Sequence, residues 1–378
     1  MPRGHRLDLV APVLPHPAGP ARPAPHHSGQ ARRSLRPGVV YQLNQALLGK
    51  LCDDKLLRAR KLRIDTTVVE ADIDHPTDAD LLEHAVRKLG GLVRRVQGRG
   101  AATHTAYRDR SRSAGRRLKQ ISKTLRRRTG QAPSEVDQLT AQVATIARRA
   151  LTQAERVARN ARRALGKRPE DGWLRRLVAR LDETTTQGHR LLAQTRQRLA
   201  GNRVIGDRLI SLADPDARPI RKGKPGKATE FGYTVLLAED EHGFIATHQT
   251  NKGNPGDAAQ LVPAVEQVME LTGRAPGTVV GDCGFGIASN DAALAELGVQ
   301  RIGLARTGTP GKARRELERT RVFQRMRNWR VGIEARISQL KRSFGLRRTR
   351  LRRLHGASVW VGLSVFADNL QRMTVMTR

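Results

Sequence analysis

The sequence predicts an α/β fold: a mixed sheet with helices on both faces, opened after its first strand by a long, basic, helical insertion. Three observations predict it. The first is a β-branched run with one acid in its middle, residues 62–69, Leu-Arg-Ile-Asp-Thr-Thr-Val-Val. The second is residues 79–200, where apolar residues recur every three or four positions among many Arg and Lys. The third is the return, over residues 201–320, to short apolar runs that alternate with amphipathic stretches.

Composition sets the kind of partner. Lys and Arg number 70 against 35 acids in 378 residues, a net charge of +35. A core does not need that excess, which costs self-repulsion; its usual use is to meet a polyanion. No apolar run is long enough to span a bilayer, so nucleic acid is favoured over a membrane surface. The excess is mostly Arg, the residue suited to bidentate phosphate contacts. Two cysteines, Cys52 and Cys283, make neither a disulfide framework nor a metal cluster. The N-terminus lacks a secretory apolar core, because Asp8 and Pro12 interrupt its best stretch. The expected location is cytoplasmic and nucleoid-associated.

Taken in order, residues 1–38 are rich in Pro, His, Gly and Arg with no apolar period, and read as disordered. Val39, Val40, Leu43, Ala46, Leu47 and Leu51 then fall at helical spacing, ending near Asp53. The strand at 62–69 carries Asp65. An unpaired carboxylate in a central strand is expensive to desolvate, so Asp65 either faces water at a sheet edge or binds a cation. His75-Pro76-Thr77-Asp78 is a turn, with Thr77 the N-cap of the next helix and Asp80 at its third position.

Within the insertion, Leu118, Ile121 and Leu125 predict a short helix. Leu139, Val143, Ile146, Ala150, Ala154, Val157, Ala161 and Leu165 predict a longer one. Gly166-Lys167-Arg168-Pro169 stops it, and Trp173, Leu177 and Leu181 open another. An α-helical hairpin or small bundle results.

Past residue 200, residues 214–219 form a turn and 221–227 a Gly/Pro/Lys loop. Residues 233–238 and 244–248 make a hairpin about Asp240 to Gly243. Residues 257–271 are an amphipathic helix, 278–282 a short buried strand ending in Asp282, 290–297 a helix and 299–304 a strand. Residues 328–344 form the last helix. There Arg330, Glu334 and Lys341 share one strip to within about 40°, beside an apolar strip of Ile333, Ile337, Leu340 and Phe344. Taken alone, that strip is an ordinary surface ion-pair face. With the insertion set aside, the order is strand, hairpin, helix, strand, helix, strand, helix. That is close to the order of a ribonuclease-H-like domain.

Three acids stand out by position: Asp65 inside a strand, Asp282 at a strand's carboxyl end, and Glu334 on the last helix. Active sites collect at strand ends in open α/β sheets. Converging carboxylates need a cation partner, and an oxygen-only donor set suits Mg²⁺ or Mn²⁺. Two such ions about 4 Å apart activate an attacking oxygen on phosphorus and stabilise a leaving one.

The chain resembles the DDE transposases of bacterial insertion sequences. The matching stretches are Arg63-Ile64-Asp65-Thr66-Thr67-Val68-Val69 with His75-Pro76-Thr77-Asp78, then Asp214-Pro215-Asp216-Ala217-Arg218-Pro219-Ile220 and Glu230-Phe231-Gly232-Tyr233. Gly253-Asn254-Pro255 with Asp257, Gly281-Asp282-Cys283-Gly284-Phe285-Gly286, and the segment from Arg330 through Glu334 to Lys341 and Arg342 follow in order. The resemblance covers roughly residues 40–370. It implies a ribonuclease-H-like catalytic domain, divalent metal, and cleavage and strand transfer of double-stranded DNA at transposon ends and target. By it, Asp65, Asp282 and Glu334 are the catalytic, metal-binding acids, and Arg330, Lys341 and Arg342 are the DNA-binding residues, Lys341 touching the DNA end and Arg330 also supporting the site. Arg327 stands where the pattern often has Tyr, and Cys283 where a basic residue often follows the second acid. For Cys283 the expectation is a small packed residue, and for His75 a structural role in its turn.

The expected organisation is an aberrant N-terminal segment over 1–38 and a linker helix with the first catalytic strand over 39–78. The basic helical insertion takes 79–200, and the rest of the catalytic domain 201–378. The family's N-terminal DNA-binding domain has only residues 1–38 in its place, so the chain reads as truncated there. Two ends must be held together, which makes a homodimer the expected assembly. Two other readings stand beside the transposase: an inactive DNA-binding remnant, and a ribonuclease-H-like nuclease without strand transfer.

Overall fold

The computed structural model describes residues 37–127, 130–202, 204–221 and 229–377. Of the expected N-terminal segment 1–38 and the loop 221–227, all but residues 37, 38 and 221 lie outside the described residues. Residues 37 and 38, placed in that segment by the sequence, belong to a helix.

This helix, α1 (Pro37–Asp53), leads to strand β1 (Lys61–Ala71). Four helices follow: α2 (Asp78–Gly98), α3 (Ser111–Arg127), α4 (Ala132–Gly166) and α5 (Gly172–Leu199). Thr77 caps α2, its hydroxyl accepting from the Asp80 amide at 3.1 Å. The four pack as a bundle. Leu89, Val93, Leu151, Ala154, Leu174 and Leu181 fill one part of its core, and Leu82, Val86, Val143, Ala147 and Leu191 another. Leu125, expected on the packed side of α3, is 57% exposed. The apolar faces here are mostly Ala and Leu, which lets the helices approach closely.

The sheet resumes with β2 (Arg218–Ile220), β3 (Glu230–Asp240) and β4 (Ile245–Lys252), then α6 (Ala258–Thr272) and β5 (Thr278–Gly281). A 3₁₀ turn at Cys283–Phe285 precedes α7 (Ala288–Glu296) and β6 (Arg301–Leu304). The chain ends with α8 (Lys312–Arg319), α9 (Arg321–Arg330), α10 (Gly332–Ser343), β7 (Arg348–Thr349) and α11 (Arg353–Met376). Sequence periodicity had not resolved β2, β7, α8 or α11.

β1 lies at the centre of the sheet. It pairs antiparallel with β3 and parallel with β5, and β5 pairs parallel with β6. On its outer edge β3 pairs antiparallel with β4 and with β2. The pleat sends alternate residues to opposite faces. Leu62, Ile64, Leu236, Ala238 and Val279 meet α1, α6 and α7 on one face. Val69, Val235, Leu237 and Ile245 meet α10 and α11 on the other. Asp65 and Arg63 share the second face with Val69, by their even spacing along β1.

Candidate active site

Asp65 does not lie on an edge strand: its residue faces Leu237 of β3 on one side. On the other side, the pairing with β5 runs only as far as Ile64 opposite Gly281. Asp65 and Asp282 are the next residues on these two parallel strands, which run about 4.8 Å apart. The acid therefore stands where one neighbouring strand has just ended, which leaves it room to meet something other than sheet.

The Asp65 side chain is 14% exposed. Its Oδ1 accepts from the Thr66 amide at 2.7 Å, and its Oδ2 lies 3.6 Å from Nη1 of Arg330. Nη2 of the same guanidinium donates to Oε1 of Glu334 at 3.3 Å. One guanidinium thus holds the first and third predicted acids together. Asp282, half-buried, accepts from the Gly284 amide at 2.8 Å and caps the 3₁₀ turn.

Asp257, a residue the sequence reading quoted but gave no role, belongs to this neighbourhood. It stands at the N-cap position of α6 without capping it, and accepts instead from the Thr66 hydroxyl at 3.1 Å. A Cβ added at Gly284 would lie 2.9 Å from Asp257 Oδ2 and 3.0 Å from Asp282 Oδ1. The two carboxylates therefore approach each other across a glycine that has no side chain to separate them. The signal available beforehand was an acid at a helix start just after a Gly-Asn-Pro turn.

The single helix expected over 328–344 is broken. α9 ends at Arg330 and α10 begins at Gly332. A Cβ at Gly332 would collide with the Arg63 guanidinium, so glycine permits the close approach of the helix to β1. Arg63 is fixed there by Glu239 at 2.6 Å, by the Trp329 carbonyl at 3.2 Å, and by its position 5.2 Å from the Trp329 ring centre. Despite the break, Ile333 and Leu340 are fully buried, as expected of the apolar strip. Arg336 is also buried. It donates to Glu239 at 3.0 Å and to Asp368 at 3.1 Å.

Arg63, Glu239, Arg336 and Asp368 therefore form a chain of alternating charge beneath the site. Burial pushes the Asp368 carboxyl up, and Arg336 beside it pulls the other way. Removing one member of such a chain leaves a buried charge without compensation, which typically costs about 3–5 kcal/mol. The chain ties the helices bearing Arg330 and Glu334 to the strand bearing Asp65.

Lys341 and Arg342 lie elsewhere. With Arg347, Val68, Glu70 and Glu230 they line a cavity of about 480 Å³. Glu70 is five residues past Asp65, roughly 16 Å along β1. The structure joins Asp65 to Glu334 through Arg330, sets Asp282 beside Asp65 where the β1–β5 pairing ends, and puts Lys341 and Arg342 at a separate cavity farther along β1. Cys283 is exposed rather than packed, because it follows the last paired residue of β5. His75 packs edge-on against Phe231 at 5.5 Å, a structural contact.

Every acid in this neighbourhood offers carboxylate oxygen, the donor that hard divalent cations take. Among the described residues no three His, Cys, Asp or Glu side chains are grouped closely enough to hold a metal ion. Glu334, 59% exposed, turns to Arg330. The donor chemistry fits a divalent ion, with the Arg330 guanidinium supplying positive charge between two of the acids.

The site thus consists of one acid inside the central strand, one just past the end of its parallel neighbour, and a third on the helix opposite, with the Arg330 guanidinium between the first and the third. Residues 181–370 match the transposase DDE domain family, and the chain belongs to that family. The matched stretch contains Asp282, Arg330, Glu334, Lys341 and Arg342; Asp65 precedes it. No curated protein and no solved structure matches the chain. No helix among the described residues is long and apolar enough to cross a membrane.

Proposed function

We propose that the protein is a DNA transposase that cleaves insertion-sequence DNA and transfers its strands, using divalent metal, Mg²⁺ or Mn²⁺, at Asp65, Asp282 and Glu334. The observation that carries this reading is the juxtaposition of Asp65 and Asp282 on adjacent strands, with Arg330 in contact with both Asp65 and Glu334. The strand order β4-β3-β1-β5-β6, antiparallel through β1 and parallel beyond it, supports a ribonuclease-H-like fold.

Two ions, when bound, would supply Lewis acidity to the phosphorus–oxygen bonds being exchanged. The chain's own residues do the rest. Asp65 and Asp282 provide fixed negative charge on the rigid centre of the sheet. Glu334 completes the set from α10, and its release from Arg330 frees that guanidinium to face a phosphate. Lys341, Arg342 and Arg347 at the cavity farther along β1 give the DNA backbone its register. The basic helical bundle extends the phosphate-binding surface. The protein works in the cytoplasm at the nucleoid, as a homodimer that holds two ends.

The test is a pair of assays, cleavage of an oligonucleotide carrying the element's terminal repeat and salt-dependent binding to it. Glu334→Gln is expected to lose cleavage by about three powers of ten, since metal-mediated stabilisation supplies several kcal/mol. Its binding is expected to persist, because it loses a carboxylate rather than a phosphate contact. Lys341→Ala is expected to weaken binding and shrink the salt slope by about one contact. Normal cleavage by Glu334→Gln would remove that residue from the site. Cleavage without joining would leave a nuclease.

A further inference from the structure

A second basic cavity lies at the opposite ends of the parallel strands from the acids. Its floor is a single row across three strands: Lys61 of β1 is in register with Thr278 of β5, and Thr278 with Arg301 of β6. Its wall is one face of α9, Val322, Arg325, Met326 and Trp329, at spacings of three and four. The cavity holds about 340 Å³, within the range of small-ligand pockets. Three of its seven lining residues are cations and none is an acid.

Among the described residues, Lys61, Arg301 and Arg325 make no side-chain ion pair. The nearby carboxylate of Glu241 is engaged by the backbone amides of Arg60 and Lys61, at 3.2 and 2.9 Å. Three cations around one cavity repel one another, an arrangement suited to an anion that enters it. Trp329 adds a flat aromatic surface, held by Arg63 over its ring. Cations beside an aromatic face are what a nucleotide needs: phosphate on the charges, base on the ring. The charge continues along the same end of the sheet. Lys55, Arg58, Arg60 and Arg274 line a neighbouring cavity of about 450 Å³.

We propose that this cavity is a second DNA-binding site, which takes a phosphodiester of a single strand on Lys61, Arg301 and Arg325 and stacks a base on Trp329. The continuous basic edge favours a strand over a free nucleotide, since a strand uses both cavities at once. The site stands apart from the catalytic reading, because its contacts need neither metal nor the three acids.

The test uses the full chain in a chelator, with a fluorescent single-stranded 12-mer as probe. Arg301 and Arg325 are both exposed, so the double variant Arg301→Ser/Arg325→Ser is expected to fold, with an unchanged melting temperature as its control. Its affinity at about 150 mM salt is expected to fall roughly tenfold, and the slope of log affinity against log salt to shrink by about 1.4, two contacts at 0.7 each. Trp329→Ala is expected to lower affinity with the slope unchanged, and Trp329→Phe to restore it. Unchanged affinity and slope in the double variant, with both reduced in Lys341→Ala, would overturn the second site and leave the proposed function standing. Deoxythymidine monophosphate competing as well as the 12-mer would also overturn it, by making the cavity a free-nucleotide site. An acidic peptide competing as well would do the same, by making it a protein contact.

Discussion

His248 lies on β4, and a Cβ added at Gly362 of α11 would sit 3.4 Å from its Nε2. Burial holds its imidazole down to about 4, against an ordinary 6.5. The unfolded chain therefore binds more protons than the folded one between pH 6.5 and about 4. Stability falls as pH falls through that window, by something on the order of 2 kcal/mol. Asp240 acts in the opposite sense. Burial pushes its carboxyl up to about 6, so the folded chain gains stability as pH falls from there toward 4. The expected outcome is that His248→Gln loses less stability than the parent between pH 7 and pH 4.5, measured by urea unfolding at each pH. Equal losses would mean that the ring is hydrated in the folded state. Asp65, Asp282 and Glu334 stood out in the sequence because each occupies a distinct place in the order of elements. Asp257 did not, because an acid at a helix start is usually only a cap, and its bond to Thr66 depends on how α6 meets β1. Glu239 and Arg336 were hidden for a related reason. Arg336 sits between Ala335 and Ile337 and Glu239 heads an acidic run with Asp240 and Glu241, and only the fold shows that they meet.

The insertion shows how far periodicity reaches for whole elements. Its helix ends were readable from Gly166, Pro169 and the Thr77 cap, since these act locally. Which helices touch was not. α4 and α5 meet at Gly188, where an added Cβ would lie 2.5 Å from Cδ2 of the fully buried Leu151. Gly188→Ala gains about 1 kcal/mol of helix propensity but overpacks this contact at a cost of about 1–3 kcal/mol. The expected net result is a lower melting temperature, recovered when Leu151→Val is added to make room. A rise in melting temperature from Gly188→Ala alone would mean that the two helices separate readily. The break between α9 and α10 has the same character. Arg330, Glu334 and Lys341 do fit a helical period, and nothing in that period reveals that Arg63 presses on Gly332.

For the whole molecule, the succession of the main strands along the chain was legible and the sheet's short edge strands were not. β1, the hairpin, β5 and β6 carry β-branched or apolar runs long enough to read. β2 and β7 have three and two residues and owe their pairing to neighbours. The charge of +35 is a property at this scale too, and the proposed site adds acids to it. That arrangement fits a reaction on a polyanion, with cations to hold the DNA and carboxylates to hold a metal. The measurement that tests it most directly is strand cleavage by Asp282→Asn beside the parent chain, in Mg²⁺ and in Mn²⁺, with binding to the same oligonucleotide measured in parallel. The amide oxygen of Asn still accepts the Gly284 amide, so the turn after β5 is kept. The account predicts that cleavage falls by about a thousandfold or more while affinity stays within about threefold. Cleavage near the parent's rate in both metals would contradict it.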